Sequence, residues 1–430
     1  MITKNIIVMM LFAATIAQPL AAQETLTLEQ ALSTALKNNL DIEVARNTAD
    51  IAQNNAHPGK AGLLPSVDLT SIASYSDNES QTAVGPVTDA STTTLASIEA
   101  NFTLFNGFSN IYTYKKLRSQ NESGKLEARN TIEQIVVQIY QAYFHVANAS
   151  ENENLAMESL EISRERLQRA QNRSQFGQAN NIDVLSAQVD FNADSVSYLN
   201  ARLASDQARR NLRVLLNRDD EGDFAVETTV IFDRSYELQD LQNRAIDQNA
   251  AYRYFVRNVE QSKYDVKIAN SAFLPQLTFS TSYDLSHKAD NFNVTLDNAN
   301  KGLSAGLNLR FNLFNGFQNK INRQNAKINL KNRQLTQDAA LLDLKKSVAD
   351  AFQSYQNSLF VLNVEQTNVQ SAQLNFDRTQ ELYNLGQVTT TQFREAQLNL
   401  VRAKSSILSA QYDAKLNEII LLQLSGQLLI

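Results

Sequence analysis

The sequence has 430 residues, a formal net charge of −6, and neither cysteine nor tryptophan. A mildly acidic chain argues against nucleic acid as a partner. The lack of cysteine excludes disulfides, thiolate metal sites and cysteine nucleophiles. The length is enough for about two or three ordinary domains.

Residues 1–22 have the pattern of a signal peptide. Lys4 precedes an apolar run from Ile6 to Ala17, and small residues follow up to Ala22. A run of about a dozen apolar residues is too short to cross a bilayer as a helix. We therefore expect the mature chain to leave the cytoplasm, with a buried N-terminal helix as the alternative. Since no later stretch reaches about 18 apolar residues, any membrane-spanning segment is expected to be a strand.

The chain repeats itself. Leu-Phe-Asn-Gly-Phe occurs at 104–108 and again at 313–317, and two further landmarks recur at nearly the same separation, Pro65 with Pro275 and Gly177 with Gly386. Such constant spacing indicates a duplicated domain. The predicted division is a signal peptide, a first repeat, a linker and a second repeat: 1–22, 23–216, 217–236 and 237–430.

Each repeat is predicted to hold a first helix, two strands, a very long helix, a glycine-containing turn and a return helix. The predicted helices are about 28–55, 111–176 and 181–216 in the first repeat, and about 238–271, 317–385 and 389–424 in the second. At 1.5 Å per residue, a long helix measures roughly 100 Å. No compact core needs that length, so we expect a tube wall in which two shorter helices stacked end to end match one long helix. The linker is expected to form a band at that joint.

Apolar residues in the return helices step by three and four, which is typical of coiled coils. The second return helix has Phe393, Ala396, Leu400, Ala403, Ile407, Ala410 and Ala414 in this register. In the first, the matching positions are Val184, Ala187, Phe191, Asp194, Tyr198, Ala201, Ser205, Ala208 and Leu212. The remaining faces are polar, as expected of a wall between two aqueous spaces.

Four segments alternate apolar and polar residues with period two, about 66–77, 95–105, 276–286 and 303–313. This pattern is typical of membrane strands that face lipid on one side and water on the other. A half-buried soluble hairpin is the alternative. The polar segments 79–93 and 287–302 are predicted to be loops. Because an open sheet edge is costly in a bilayer, other copies of the chain must complete the barrel, and eight, twelve or sixteen strands are all arithmetically possible.

The repeated pentapeptide lies where each repeat changes from strand to long helix. We expect Gly107 and Gly316 to permit a sharp bend there. The neighbouring aromatic residues Phe105, Phe108, Phe314 and Phe317 are expected to lie at the membrane boundary, where barrels carry an aromatic girdle.

These features together resemble the TolC-type outer-membrane efflux family over essentially the whole mature chain. The resemblance rests on the paired pentapeptides, on Pro65 and Pro275, and on the two turns around Gly177 and Gly386. It implies an α+β homotrimer with one shared twelve-stranded barrel in the outer-membrane lipid and a helical coiled-coil tunnel in the periplasm. It also implies a periplasmic adaptor protein and an inner-membrane pump of RND or ABC type as partners. One departure is His57-Pro58-Gly59, where the first helix is expected to end early or to kink.

The turns after the long helices are the candidate functional sites. By resemblance, an adaptor docks at Gly177, Gln178, Ala179, Gly386, Gln387 and Val388. Thr389 and Gln392 have the spacing of a capping box for the next helix. Asp183 and Glu395 begin the return helices, where a carboxylate stabilises the helix N-terminus. The functional alternative is an acidic ring at a narrow tunnel end, with Asp183, by resemblance, bonded to Tyr383 of a neighbouring coiled coil as a gate.

No nucleotide-binding, hydrolase or metalloprotease motif is present, and the three histidines are scattered, so neither an enzyme, a cofactor nor a metal site is expected. The predicted function is the passive outer-membrane duct of a tripartite efflux system for small molecules. One alternative is the outer component of a type I protein secretion system. The other is a secreted or surface coiled-coil protein, such as an adhesin stalk.

Overall fold

The computed structural model of the chain describes residues 24–83, 85–176, 180–219, 224–232, 235–290 and 296–429. The predicted signal peptide lies outside them. The described residues belong to two compact units. A helical unit is drawn from the segments Met1–Val44, Thr131–Gln248 and Lys345–Ile430, and a strand unit from Ala45–Asn130 and Asn249–Leu344.

The elements follow the order predicted for a duplicated chain. The helices are α1 Leu28–Asn38, α2 Leu40–Asn55, α3 Ser109–Gln175, α4 Asn181–Leu216, α5 Leu238–Gln248, α6 Ala250–Ser271, α7 Gln318–Asn384 and α8 Thr390–Leu424. The strands are β1 Glu24–Leu26, β2 Ser66–Thr82, β3 Gly85–Asn106, β4 Phe224–Val226, β5 Gln276–Asp290 and β6 Leu296–Arg310. No helix in the described ranges is long and apolar enough to cross a membrane.

The long helices α3 and α7 both contain 67 residues, and they begin 209 positions apart. The return helices α4 and α8 begin at Asn181 and Thr390, which have the same separation. Gly124 lies inside α3 without ending it, and a Cβ at this position would meet the Cβ of Ala52 at 2.7 Å. This glycine therefore permits the close approach of α2 to α3.

The first helix of each repeat is broken once, which the sequence analysis did not predict. Asn39 separates α1 from α2, and its side-chain oxygen accepts hydrogen bonds from the backbone N–H groups of Asp41 and Ile42. Asn249 separates α5 from α6 and caps Tyr252 in the same way. An asparagine that satisfies the free N–H groups of a new helix start competes with continuation of the old helix. The second helix α2 ends at Asn55, just before His57, as expected from Pro58.

The strand unit contains a four-stranded antiparallel sheet in the order β2-β3-β5-β6. The β2–β3 ladder continues as far as Thr82 opposite Gly85, and the β5–β6 ladder as far as Asp290 opposite Leu296. The predicted loops over 79–93 and 287–302 were therefore wrong for their described residues. Their Ser, Thr and Asn side chains lack the apolar alternation, but the backbone ladder holds them as strands.

The coiled-coil register predicted for the return helices is confirmed by burial. Phe393, Ala396, Leu400, Ala403, Ala410 and Ala414 are buried on α8, as are Ala187, Asp194, Ser205, Ala208 and Leu212 on α4. Ile407, Val184, Phe191, Tyr198 and Ala201 are half-buried. These seams pack the helices of the helical unit against one another.

The predicted linker contributes to the core of the helical unit. Its residues Phe224–Val226 form β4, which pairs in parallel with β1. The buried Tyr143 hydroxyl donates to the Leu26 carbonyl and accepts from the Glu227 N–H, so it joins the ends of both strands. Strands of three residues are too short to show an alternating pattern in the sequence, so this small sheet was not predicted.

Candidate functional site

Each strand-to-helix corner uses two consecutive residues with left-handed backbone. Gly107 has φ 65° and Phe108 φ 69°, and Gly316 has φ 63° and Phe317 φ 64°. The glycines were predicted to bend the chain, but the phenylalanines were not. A bulky residue rarely adopts positive φ, so both corners store strain that the surrounding structure must offset.

The aromatic residues of the two corners also share one arrangement. The Phe105 and Phe108 rings meet edge to face with centroids 5.2 Å apart, and Phe314 and Phe317 do so at 5.3 Å. Edge-to-face pairs are a preferred aromatic geometry. The duplicated pentapeptide therefore encodes one folded corner, which is used twice.

The surroundings of the two corner glycines differ. A Cβ on Gly107 would lie 2.5 Å from the Ser271 carbonyl oxygen and 2.9 Å from the Leu274 Cβ. A Cβ on Gly316 would meet no described atom within 4 Å. The space beside Gly107 is thus filled by Ser271 and Leu274 of the second repeat, whereas the space beside Gly316 is not filled by any described residue of the same chain.

The turn after α7 ends the helix through Gly386, which has φ 74°. The Gly386 N–H donates to the Tyr383 carbonyl, and the Gln387 N–H donates to the Leu382 carbonyl. This pair of bonds is the Schellman arrangement that glycine favours at helix ends. Val388 follows, half-buried. The turn is therefore short, fixed and largely exposed.

The predicted capping box at the start of α8 is confirmed. The Gln392 N–H donates to the Thr389 hydroxyl at 3.2 Å, and the Thr389 N–H donates to the Gln392 side chain at 2.9 Å. On α4 the cap is Asn180, whose side chain accepts from the Ile182 N–H. The predicted tip residues Gly177, Gln178 and Ala179 lie outside the described residues.

The three gate candidates do not come together within one chain. Asp183 is exposed in the first turn of α4, and Glu395 is exposed in the second turn of α8. Tyr383 stacks on Phe393 with ring centroids 4.7 Å apart, and the Arg169 guanidinium lies over the Tyr383 ring, 5.8 Å from its centroid. A bond between Asp183 and Tyr383 of neighbouring coiled coils stays a prediction.

A charge cluster that the sequence analysis missed lies behind the tips. Arg394 of α8 donates to both carboxylate oxygens of Asp194 on α4, and Arg166 of α3 donates to Asp190 at 2.9 Å. Arg166 is only 4% exposed, and its guanidinium lies 5.6 Å from the Phe393 ring centroid. Two arginines and two aspartates thus join three helices.

One signal in the sequence pointed to this cluster. Asp194 occupies a seam position between Phe191 and Ala201, where an apolar residue is expected. A carboxylate in a seam is tolerated only with a partner of opposite charge. The sequence does not identify that partner, because Arg394 belongs to the other repeat.

Two buried tyrosines of the helical unit have raised pKa values. Burial, and then the charge of Glu151, raises the pKa of Tyr412 to about 12. Burial and then Glu418 raise the pKa of Tyr355 to about 12. Both phenols therefore stay protonated at neutral pH. Across the described ranges, no group of three or more His, Asp or Glu side chains could hold a metal ion.

Comparison with known proteins places these features in one family. The family model described as "Outer membrane efflux protein" matches residues 31–218 and 241–427. The outer membrane efflux protein BepC of Brucella suis is 22% identical over 418 residues, which cover 95% of this chain and 86% of BepC. The outer membrane protein TolC of Vibrio cholerae is 25% identical over 398 residues, which cover 88% of this chain and 86% of TolC.

The fold is shared with solved channels. The crystal structure of the Campylobacter jejuni CmeC outer membrane channel superposes with a TM-score of 0.78 at 18% identity, covering 93% of this chain and 86% of CmeC. The two stretches matched by the family model coincide with the two halves of the repeated element order. The chain belongs to the outer membrane efflux protein family.

Proposed function

We propose that three copies of this chain form a passive export duct that crosses the outer membrane and the periplasm. The open sheet is the observation that supports this most strongly. In the described part of the chain, β2 pairs with β3 alone and β6 pairs with β5 alone, so both edges are free. In a bilayer, each unpaired backbone group costs several kcal/mol. The edges of neighbouring copies would satisfy each other, and by the family resemblance three copies close a twelve-stranded barrel.

The outer face of the sheet suits contact with lipid. Large apolar side chains on the edge strands are exposed in a single copy: Val67, Leu69, Tyr75, Leu303, Leu307 and Leu309. Serine, threonine and asparagine alternate with them, as expected for a wet lumen. Phe105, Phe108, Phe314 and Phe317 would then lie at the periplasmic boundary of the membrane.

The open second corner fits the same assembly. Ser271 and Leu274, which fill the space beside Gly107, correspond in the repeat to Ala61 and Leu64. A second copy that pairs its β2 with β6 would bring Ala61 and Leu64 beside Gly316. The proposal thus explains why one corner glycine is packed and the other is not.

The helical unit would form the periplasmic tunnel. We assign the repeats to 23–216 and 237–430 with a linker at 217–236, and the adaptor-docking tips to Gly177, Gln178, Ala179, Gly386, Gln387 and Val388. Asp183, Tyr383 and Glu395 would border the narrow end. A periplasmic adaptor would connect the tips to an inner-membrane pump of RND or ABC type, which supplies the energy. The proposal assigns no catalytic step to this chain.

The experiment deletes the gene in its own host and follows two kinds of cargo. Cells without the chain should accumulate a fluorescent efflux dye, and plasmid-borne wild-type chain should restore its export. The proteins of the culture medium are compared in parallel. Unchanged dye export together with loss of one secreted protein would replace small-molecule efflux by type I protein secretion.

A further inference from the structure

The return helix α4 exposes an apolar row that has no equivalent on α8. Leu185, Val196, Leu199 and Leu203 are each more than half exposed. Their spacing follows the three-and-four pattern of a coiled-coil seam. Single exposed apolar residues are ordinary, but a row in register along one helix indicates a packing face.

The two return helices can be compared residue by residue. Positions 209 apart are buried on both helices: Ala187 and Ala396, Asp194 and Ala403, Ser205 and Ala414, and Leu212 and Leu421. Leu216 and Ser425, the C-cap of α8, continue the series. The inner seams of α4 and α8 therefore share one register. The long helices α3 and α7 have the same offset and the same length.

On α8, the face that corresponds to the apolar row packs against α3 of the same chain. The Ser405 hydroxyl donates to the Asn152 side-chain oxygen at 2.7 Å. Closer to the tip, the Gln397 amide donates to the Ser159 hydroxyl at 3.1 Å. Farther along, Tyr412 stacks on Phe144 with ring centroids 5.5 Å apart.

The repeat equivalents of the bonded pair Ser405 and Asn152 lie on α4 and α7. Ser405 corresponds to Val196, which is 58% exposed, and Asn152 corresponds to Val361, which is 40% exposed. A hydrogen-bonded polar pair is thus replaced by two valines. Both valines are exposed in one copy, so they do not cover each other within the chain.

We infer that the apolar row of α4 docks on α7 of a second copy in the register of the α8–α3 interface, with Val196 opposite Val361. The second copy is the occupant because this chain carries both complementary faces. By the internal repeat, these two faces correspond to the faces of α8 and α3 that already pack against each other within the chain. The inference rests on the multi-copy duct proposed above and adds the residues that join the copies.

The replacement of Ser405 and Asn152 by Val196 and Val361 in the other pair of helices also determines which faces can pack together. If the apolar row of α4 covered the Asn152 face of α3, Val196 would leave the Asn152 side-chain oxygen buried without its serine donor, which is unfavourable. If the Ser405 face of α8 covered the Val361 face of α7, the Ser405 hydroxyl would likewise lose its partner Asn152. The two interfaces are therefore not interchangeable, and the apolar row of α4 is directed to the Val361 face of α7.

Disulfide trapping tests the register, and the chain is suited to it because it contains no cysteine. The variant V196C/V361C is produced in the outer membrane and oxidised. A disulfide forms only when the two Cα atoms lie within about 7 Å. We expect covalently linked copies on a denaturing, non-reducing gel, whereas V196C and V361C alone remain monomeric.

Two control pairs make the result interpretable. N152C/S405C lies at the equivalent place within one chain and should form an intrachain disulfide without linking copies. V196C/N363C moves one cysteine to another face of α7 and should not link copies. If native gels show trimers and the N152C/S405C disulfide forms, but V196C/V361C stays monomeric, the inference is wrong and the proposed duct is unaffected. If native gels show no oligomer, both are wrong.

Discussion

Arg394 donates two hydrogen bonds of 2.7 Å to Asp194, which lies 200 positions earlier in the chain. The Arg394 side chain is 14% exposed and that of Asp194 is 8% exposed. Paired bonds from one planar guanidinium to one carboxylate are strong and geometrically specific. This pair fixes the return helix of one repeat to the return helix of the other.

We predict that Arg394→Leu destabilises the helical unit by about 3–5 kcal/mol, because it leaves the buried Asp194 carboxylate without its partner. The measurement is the temperature at which the detergent-solubilised oligomer dissociates, followed on gels and by circular dichroism. The control is R394L/D194L, which removes both charges together and should cost much less. Equal losses in the single and double variants would show that the pairing contributes nothing.

The two corner glycines should respond differently to alanine. Gly107→Ala introduces a Cβ into the Ser271 carbonyl, so we expect poor folding and little chain in the outer membrane. Within one copy, Gly316→Ala costs only the strain of an alanine in the left-handed backbone conformation, about 1–2 kcal/mol. It should therefore fold, but assemble poorly if a second copy fills that corner.

Quantitative gels of membrane fractions, denatured and native, measure total chain and trimer for both glycine variants. Gly85→Ala serves as the control, because Gly85 also has positive φ and no described neighbour within 4 Å of an added Cβ. Normal trimer levels for Gly316→Ala would contradict the proposed contact between copies.

Gly386→Arg should abolish dye export without preventing trimer formation, because it enlarges the exposed turn that we assign to the adaptor. Gly177→Arg is expected to act in the same way. Gly85→Arg, at the start of β3, is the control: Gly85 is half-buried and has positive φ, but an added Cβ there would meet no described atom within 4 Å, so export should stay intact. Full export by both tip variants would exclude adaptor docking at these turns.

Asp183→Asn should reduce the preference of the reconstituted channel for cations, since it removes one carboxylate per copy from the proposed narrow end. The reversal potential in a salt gradient across a planar bilayer measures this preference. Asp41→Asn removes an exposed carboxylate from the first turn of α2 and controls for helix-end effects of about 0.3–1 kcal/mol. If the selectivity of both variants equals that of the wild type, Asp183 does not act at the narrow end.

The helices were predictable from the sequence because their signals are local. Seam residues such as Phe393 and Ala396 recur at coiled-coil spacing over many turns, and glycine appears at the turns themselves. The Thr389 capping box is equally local, since it needs only Gln392 three residues later. These features depend on neighbours in the chain and hardly on the rest of the fold.

The features that the sequence did not predict are mostly those that depend on residues far apart in the chain. The strands extend past their apolar alternation because backbone pairing with a neighbouring strand holds them, as at Thr82 and Gly85. The bond between Arg394 and Asp194 joins two repeats, and no local pattern connects them. Asn39 was a missed local signal, because an asparagine within a helical pattern can begin a new helix.

The proposed duct requires that several copies of this chain build one membrane channel. The most direct measurement is the mass of the protein extracted from the outer membrane in detergent, followed by conductance in a planar bilayer. We expect a particle of three chains that produces discrete, stable conductance steps. A folded, water-soluble single chain that needs no detergent and conducts no ions would contradict it.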